Sequence, residues 1–463
     1  MADVFDLIVI GSGPAGQKAS MAAAKLGKRV AVADRRTMLG GVCLHGGTIP
    51  SKTLREAILF LTGFRQRPFY GSDFSVKERI DPADLRRQVE LVVERETEVI
   101  KSQLRRNGVV TLDGLARFAD PHTVEVETDQ GAVRVQGERI LIACGTRPAR
   151  NPAIPFDGER IIDTSEMTGT ADRMPREVIV VGAGVIGLEY ASMFTALDIE
   201  VTLIEQRPEI LEFVDREIVE RLCYHMRDRG AVFRLGEKVV AVSKIADGRV
   251  QAGLESGKTV HADGLLYAVG RQPNTDRLRL EAAGLAADAR GRIGVNAHYQ
   301  TAVPHIYAAG DVIGFPALAA TSMEQGRIAA CHMFGVEPAA ATQVLPYGIY
   351  TVPEISMVGK TEQELTAARV PYEFGVSKYA ELAKGQIVGD RNGTLKILFD
   401  PRSLEVLGVH ALGEGATEII HIGQAVMSLR GTLAYFRDTV FNYPTFAEAY
   451  KVAALDGLNK LRG

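Results

Sequence analysis

The chain has 463 residues, 46% of them apolar and 24% charged, with a formal net charge of −3. That length suggests about two to four domains with sizeable cores, and its scattered Lys and Arg offer no massed basic surface for nucleic acid or an anionic membrane. Cys43, Cys144, Cys223 and Cys331 lie far apart with no C-x-x-C pair, so neither a disulfide framework nor a metal site is expected. The first residues run straight into a strand, without the charged and apolar regions of a secretion signal, and no apolar run approaches a membrane span. A cytoplasmic protein is expected.

Residues Asp6–Ile10 read as a short buried strand, followed by Gly11-Ser12-Gly13-Pro14-Ala15-Gly16, an alanine-rich helix over Gln17–Leu26 and a strand Arg29–Ala33 ending on Asp34. This is the G-x-G-x-x-G fingerprint in its proper setting, with strand before, helix after and an acid closing the second strand. Gly11 permits the tight turn, Gly13 lets backbone approach a pyrophosphate and Gly16 lets helix pack on strand. Asp34 can accept from ribose hydroxyls, and Pro14, Ala15 and Arg35 belong to the same candidate site. Next comes Gly40–Lys52, G-G-V-C-L-H-G-G-T-I-P-S-K, read as a loop in which Gly40–Gly41 and Gly46–Gly47 bracket Cys43. A helix is expected over Thr53–Phe64. Another follows over Pro82–Arg106, capped by Asp81, with Leu85, Val89, Val92, Val99 and Leu104 as its core stripe. Val109–Thr111, Thr123–Glu127 and Ala132–Val135 suggest a small antiparallel excursion. The chain returns in Arg139–Ala143, ahead of the turn Cys144-Gly145-Thr146-Arg147-Pro148, where Cys144 reads as a small buried thiol.

A second complete unit starts at strand Val178–Val181, with Gly182-Ala183-Gly184-Val185-Ile186-Gly187, a helix through Glu189–Leu197 and strand Val201–Ile204 ending on Glu205. Two such units mean two dinucleotide sites. A carboxylate at Glu205 suits a free ribose 2′-hydroxyl and repels a 2′-phosphate, by about 1 kcal/mol in water and about 4 at intermediate dielectric at 4 Å. Arg207 either offsets this by pairing with the phosphate or is a solvated surface charge. A helix over Arg216–Gly230 and strands at Val239–Lys244 and Val250–Leu254 follow, and the unit closes at Leu265–Val269 with Gly270-Arg271-Gln272-Pro273-Asn274. Beyond lie Thr301–Asp311 (T-A-V-P-H-I-Y-A-A-G-D), a helix over Leu318–Phe334, a hairpin of Leu395–Phe399 and Leu404–Ala411, and a helix over Ala416–Met427. His410 and His421 read as packed or capping residues. The last informative run is Phe441-Asn442-Tyr443-Pro444-Thr445-Phe446-Ala447-Glu448.

Gly40–Lys52 resembles the active-site segment of the pyridine-nucleotide disulfide oxidoreductases, where two cysteines five positions apart face an FAD ring. The first is present as Cys43; Thr48 stands where the second would be. The resemblance implies FAD on the first fingerprint and NAD or NADP on the second. It also implies that Gly145 belongs to a turn beside the flavin nucleotide and that Gly270 and Arg271 belong to a G-R-x-P-N turn. Arg271 then either contacts the pyridine nucleotide or is an exposed loop arginine. Gly310 and Asp311 would close a second FAD fingerprint, with Asp311 on the ribityl chain and the next helix aimed at the flavin. Glu189 would pair with Lys52 beside flavin N5. The C-terminal part resembles a dimerisation domain whose H-P-T-x-x-E run supplies an acid/base histidine to the partner subunit. Here Tyr443 replaces that histidine, while Pro444, Thr445 and Glu448 remain.

Thiol–disulfide exchange needs a thiolate and a proton partner, so the losses at Thr48 and Tyr443 belong together. What remains is hydride in from a nicotinamide and hydride out from reduced flavin. The pairing of G-T-I-P-S-K with N-Y-P-T-x-A-E-A-Y resembles the soluble NAD(P)+ transhydrogenases of the same family, Si-specific at the flavin. That implies NADPH + NAD+ ⇌ NADP+ + NADH by a homodimer or larger homo-oligomer, with Lys52, Glu189, Thr48, Tyr443 and Glu448 as catalytic candidates. Tyr443 would cover the partner's flavin or be purely structural. Competing readings are a quinone or dye reductase, a non-catalytic FAD-bound redox sensor, and a thiol enzyme using Cys43 alone. The expected fold is α/β, with two Rossmann-like dinucleotide-binding domains for FAD and NAD(P) plus a C-terminal α+β dimerisation domain. Its expected limits are 1–150 and 273–343 for the FAD parts, 151–272 for NAD(P) and 344–463 for dimerisation.

Overall fold

A computed structural model describes residues 3–167, 174–337 and 344–461. The expected boundary at 343/344 borders residues 338–343, which lie outside the described residues. The N-terminal sheet runs Val110–Asp113, Val30–Asp34, Asp3–Ile10, Gly131–Ile142, Thr123–Thr128, Leu115–Phe118, with Ile306–Ala308 also paired to Gly131–Ile142. Its central strand is apolar on both sides, and Leu7, Ile8 and Val9 are fully buried, because packing covers both faces of a parallel sheet.

Two expectations change here. Val110–Asp113 pairs in parallel with Val30–Asp34 at the sheet edge rather than joining an antiparallel excursion. The segments expected separately at Ala132–Val135 and Arg139–Ala143 form one strand, Gly131–Ile142. Its first half is antiparallel to Thr123–Thr128 and its second half parallel to Ile306–Ala308. Gly137 marks the handover, where a Cβ would lie 2.9 Å from Ile8 Cδ1 and 3.0 Å from Arg139 O.

The second sheet, Val232–Leu235, Glu200–Glu205, Glu177–Val181, Gly264–Tyr267, Ile161–Asp163, is parallel at every pairing. Helix Val185–Ala196 lies buried from Gly187 onward. Val239–Lys244, Val250–Leu254 and Thr259–Ala262 form an antiparallel meander beside it. A two-stranded ribbon of Thr146–Pro148 with Arg271–Pro273 ties the two nucleotide units together.

The C-terminal sheet is antiparallel, in the order Tyr347–Ile349, Ile355–Gly359, Val406–Leu412, Thr394–Phe399, Glu373–Lys378. The expected hairpin closes at Phe399 opposite Val406. Ile420 of helix Ala416–Ser428 and Tyr450 and Ala453 of helix Glu448–Lys460 share a core with Leu395, Ile397 and Val409.

Helix Pro82–Arg106 starts with a reciprocal capping box between Asp81 and Asp84 and Pro at its first position, as its sequence demands. Its buried line is Leu85, Val89, Ile100 and Leu104; Val99 is 45% exposed. The step from Val89 to Ile100 is about three turns, so Ile100 rather than Val99 returns to the inner face. Gly40–Lys52 is also not a loop throughout. Gly41–His45 is a short helix, and a longer one runs Thr48–Leu61. Pro50 sits in the first turn of the latter, where its missing N–H costs nothing. Among the described residues no helix is long and apolar enough to cross a membrane.

Candidate active site

The two fingerprints build one device twice. Gly11 has φ +104°, and a Cβ there would lie 2.3 Å from Ala143 O; at Gly16 it would lie 2.0 Å from Gly11 O. Gly182, at φ +98°, and Gly187 repeat this against Ala268 O at 2.8 Å and Gly182 O at 1.9 Å. The middle glycines differ: a Cβ on Gly13 or Gly184 would meet no atom within 4 Å. Each opens at the start of a helix, Pro14–Lys25 or Val185–Ala196, whose N-terminus has no side-chain cap. Free first-turn amides facing open space fit a pyrophosphate.

Asp34 accepts from the Ser12 amide at 2.7 Å, the Ser12 hydroxyl at 2.6 Å and the Arg35 amide at 2.8 Å. It therefore shapes the loop as well as ending the strand. Ser12 also accepts from the Gly40 amide at 3.0 Å, a role its position between two glycines does not advertise. Arg35 is exposed, and only its main chain is engaged with Asp34. Gly41, at φ +67°, comes so near the fingerprint that a Cβ would lie 2.8 Å from Gly13 Cα. The double glycine thus seats the Cys43 helix against the dinucleotide loop.

Thr48, Lys52 and Asp311 all lie near enough to Cys43 to act on its thiol. Burial pushes the Cys43 thiol up, and the charge of Asp311 adds to it, while a hydrogen bond from Thr48 and the charge of Lys52 pull the other way. Lys52 Nζ donates to both Glu189 oxygens at 2.9 and 2.8 Å, and the Glu189 side chain is 5% exposed. Glu189 also accepts from the Tyr350 amide at 2.9 Å, and the Tyr350 ring lies 4.8 Å from Lys52 Nζ. This joins three parts of the chain that are distant in sequence, and Tyr350 was not foreseen.

Asp311 accepts from the Thr146 hydroxyl at 3.2 Å, and Thr146 in turn accepts from Arg271 Nε at 2.7 Å. A second Arg271 nitrogen donates to Thr146 O at 2.9 Å. Burial lowers the Arg271 pKa, and Asp311 and Asp163 oppose it. Arg271 is thus not an exposed loop arginine; it braces the turn next to Asp311. Gly145 and Gly270 have φ of +61° and +78°, which those turns require. Gly310, at φ +82°, lies close over Ala15, and its amide donates to Gln325 at 2.8 Å. Cys144 is a half-buried thiol whose pKa desolvation raises to about 12.

At the second loop Glu205 is 6% exposed and accepts from the Ala183 amide at 2.8 Å and the Arg207 amide at 3.1 Å. Arg207, 47% exposed, pairs with it through Nε at 3.1 Å. Burial pulls the Glu205 pKa up, but the Arg207 and amide hydrogen bonds win and hold it below the usual carboxylate range. Arg207 is therefore a half-exposed counter-ion of Glu205, not a freely solvated charge.

The C-terminal candidates stand apart within one chain. Tyr443 is 74% exposed, and Glu448 begins its helix with Oε2 buried and without a hydrogen-bond partner. Among the described residues no hydrogen bond or ion pair joins either to Thr48, Lys52 or Asp311. His410 is fully buried and its Nε2 bonds Lys360 O at 2.9 Å; His421 bonds Gln424 at 2.8 Å. The carboxylates of Asp215, Glu217 and Glu362 converge on one point, and the Lys396 ammonium holds it.

Residues 5–326 match the family model described as pyridine nucleotide-disulphide oxidoreductase, and residues 345–454 match that family's dimerisation domain. The chain is 54% identical to the soluble pyridine nucleotide transhydrogenase of Mycobacterium tuberculosis, over 99% of this chain and 98% of that one. It is 48% identical to that of Klebsiella pneumoniae, with the same coverage. Among solved structures, LpdA from Mycobacterium tuberculosis superimposes with a TM-score of 0.89 at 26% identity, covering 97% of this chain and 99% of that one. The HOCl-induced flavoprotein disulfide reductase RclA from Escherichia coli gives 0.87 at 27% identity, with the same coverage. The chain belongs to the pyridine nucleotide-disulphide oxidoreductase family, with two Rossmann-like units and a C-terminal dimerisation domain, in the branch of the soluble pyridine nucleotide transhydrogenases.

Proposed function

We propose that this protein is an FAD-dependent transhydrogenase that carries out NADPH + NAD+ ⇌ NADP+ + NADH without a redox disulfide. The observation that carries the reading is the Lys52–Glu189 pair, intact with its carboxylate buried and close to Cys43, with a threonine in place of a second cysteine. A decayed flavin site would have no reason to keep this pair, and a disulfide reductase could not work without the missing thiol.

FAD when bound would supply the hydride acceptor and donor. Gly11, Gly13, Pro14, Ala15, Gly16, Asp34, Arg35, Gly40, Gly41, Cys43, Gly145, Gly310 and Asp311 would hold it, with Arg271 bracing Asp311 through Thr146. Gly182, Gly184, Gly187, Glu205 and Gly270 would take the pyridine nucleotides, one after the other. Glu205 would accept from the ribose of NAD, and Arg207 would turn from Glu205 to a 2′-phosphate. Lys52, oriented by Glu189, would place positive charge beside flavin N5, where it makes the ring a better hydride acceptor. Thr48 fills the second cysteine's place. Tyr443 and Glu448 would act at the site of a partner subunit in a cytoplasmic homodimer. The FAD unit comprises residues 1–150 and 273–343, the nucleotide unit 151–272 and the dimerisation unit 344–463.

The test is anaerobic stopped-flow absorbance in the visible flavin band. NADPH should bleach the protein, and NAD+ should then restore the band with formation of NADH. Bleaching that NAD+ does not reverse, but a quinone does, would replace this reading with a quinone reductase.

A further inference from the structure

Lys52 carries a flexible four-carbon stem, and bonds to the Glu189 carboxylate and, at 3.3 Å, to the neighbouring Ser51 Oγ do not by themselves fix where its ammonium stands. The C-terminal sheet supplies a further constraint. Segment 350–352 enters between helix Thr48–Leu61 and helix Val185–Ala196, and every residue of it is engaged. The Tyr350 amide donates to Glu189 Oε1 at 2.9 Å, Thr351 O accepts from Arg55 Nε at 3.1 Å, and the Val352 amide donates to Ser192 Oγ at 3.0 Å. Ser192 Oγ donates onward to Glu189 O at 2.8 Å. Thr351 and Val352 are buried, so the segment is anchored on both sides of the ion pair.

The Tyr350 ring face lies 4.8 Å from Lys52 Nζ. Its hydroxyl end lies near Thr417, whose own hydroxyl donates to Glu354 Oε2 at 3.0 Å, and Glu354 is buried. A cation is attracted to an aromatic face, the more so when water is excluded.

We propose that Tyr350 is a positioning residue for flavin reduction. Its ring holds the Lys52 ammonium toward the flavin side of Glu189, and its amide fixes the Glu189 carboxylate. This rests on the flavin reading of the site given above. The dimerisation unit then takes part in the chemistry of its own chain, separately from anything it lends a partner subunit.

The experiment compares Tyr350→Phe, which keeps the ring and the amide, with Tyr350→Leu, which keeps only the amide. Both are purified with FAD and checked for flavin content. The flavin midpoint potential is measured by equilibration with a reference dye, which needs no pyridine nucleotide, and flavin reduction by NADPH is followed in stopped flow. Tyr350→Leu should lower the potential and slow reduction about tenfold, the scale of one partly enclosed cation–ring contact. Tyr350→Phe should stay within about twofold of the unaltered protein. An unchanged potential and rate in Tyr350→Leu would overturn the proposal, as would a Tyr350→Phe variant as impaired as Tyr350→Leu. Failure of the unaltered protein to pass hydride to NAD+ would count against transhydrogenation alone, because the potentials still read the Tyr350 effect.

Discussion

Replacing Arg207 with Ala separates the two nucleotides. Glu205 is nearly buried and pinned by the Ala183 and Arg207 amides, so it cannot swing away from a nucleotide in the second loop. A 2′-phosphate brought to about 4 Å would meet a repulsion of about 1 kcal/mol in water and about 4 at intermediate dielectric. Arg207 is half-exposed, and an ion pair of that kind is worth about 1 kcal/mol or less, so exchanging Glu205 for a phosphate costs little. The charged hydrogen bond gained is worth about 1.5 to 3 kcal/mol. Net of the lost pair that is about 0.5 to 3 kcal/mol, so Arg207→Ala should raise the KM for NADPH, from a few-fold up to about 100-fold. The KM for NADH should stay within about threefold, because both amides still hold Glu205. Steady-state transhydrogenation with each nucleotide varied in turn gives both values, and added salt should shrink the difference. Equal shifts for the two nucleotides, or none for NADPH, would refute the argument.

Lys52→Met should slow flavin reduction about a hundredfold in stopped flow while FAD stays bound, the usual scale for losing one preorganised charge donor. Reduction at the unaltered rate would remove Lys52 from the chemistry. Lys396 and Asp215 are both 1% exposed, and Lys396 also pairs with Glu217 and Glu362, which are 36% and 30% exposed and can turn to water. Lys396→Met should thus cost near the lower end of the range for breaking a buried pair, about 3 kcal/mol by urea denaturation, and a loss under about 1 would contradict that packing. Because burial raises the Cys43 pKa, its thiolate is scarce at neutral pH. Alkylation by iodoacetamide, followed by mass spectrometry, should be slower at pH 7 than for a model thiol and still climbing above pH 9. Rapid labelling at pH 7 would revive a thiol mechanism.

The fingerprints were legible because their glycines do work no other residue can. Gly11 and Gly182 take positive φ, and Gly16 and Gly187 leave no room for a Cβ, so strand, glycine and helix had to follow one another. Gly40–Lys52 misled for the same reason. Its glycine pairs and Pro50 read as breakers, whereas Pro50 falls in a first turn and only Gly46–Gly47 interrupts the helix. The parallel pairing of Val110–Asp113 could not be read, since its partner Val30–Asp34 lies beyond a long intervening helix and carries no local signal. Ser12, Thr146 and Tyr350 were missed as site residues because common side chains acquire a role only from what tertiary packing puts opposite them. Arg271 shows the converse: its motif marked it out, but not that its guanidinium holds Thr146 beside Asp311.

Among the described residues the open middle glycine occurs at two dinucleotide loops, and the first of these is crowded by Gly41, Gly310 and helix Ala319–Met333. If that loop holds the flavin nucleotide, one loop is left for two pyridine nucleotides. They must then use it in turn, the first product leaving before the second substrate enters, and double-reciprocal plots should be parallel. Such a site cannot be built rigidly for either nucleotide. It needs an acid that stays in place for a ribose common to both and a cation that appears only when a phosphate calls for it. Glu205, fixed by two main-chain amides, and Arg207, held by one half-exposed pair, divide those tasks. The unequal fixing of two neighbouring side chains is what would let one pocket exchange hydride between couples that differ by a single phosphate.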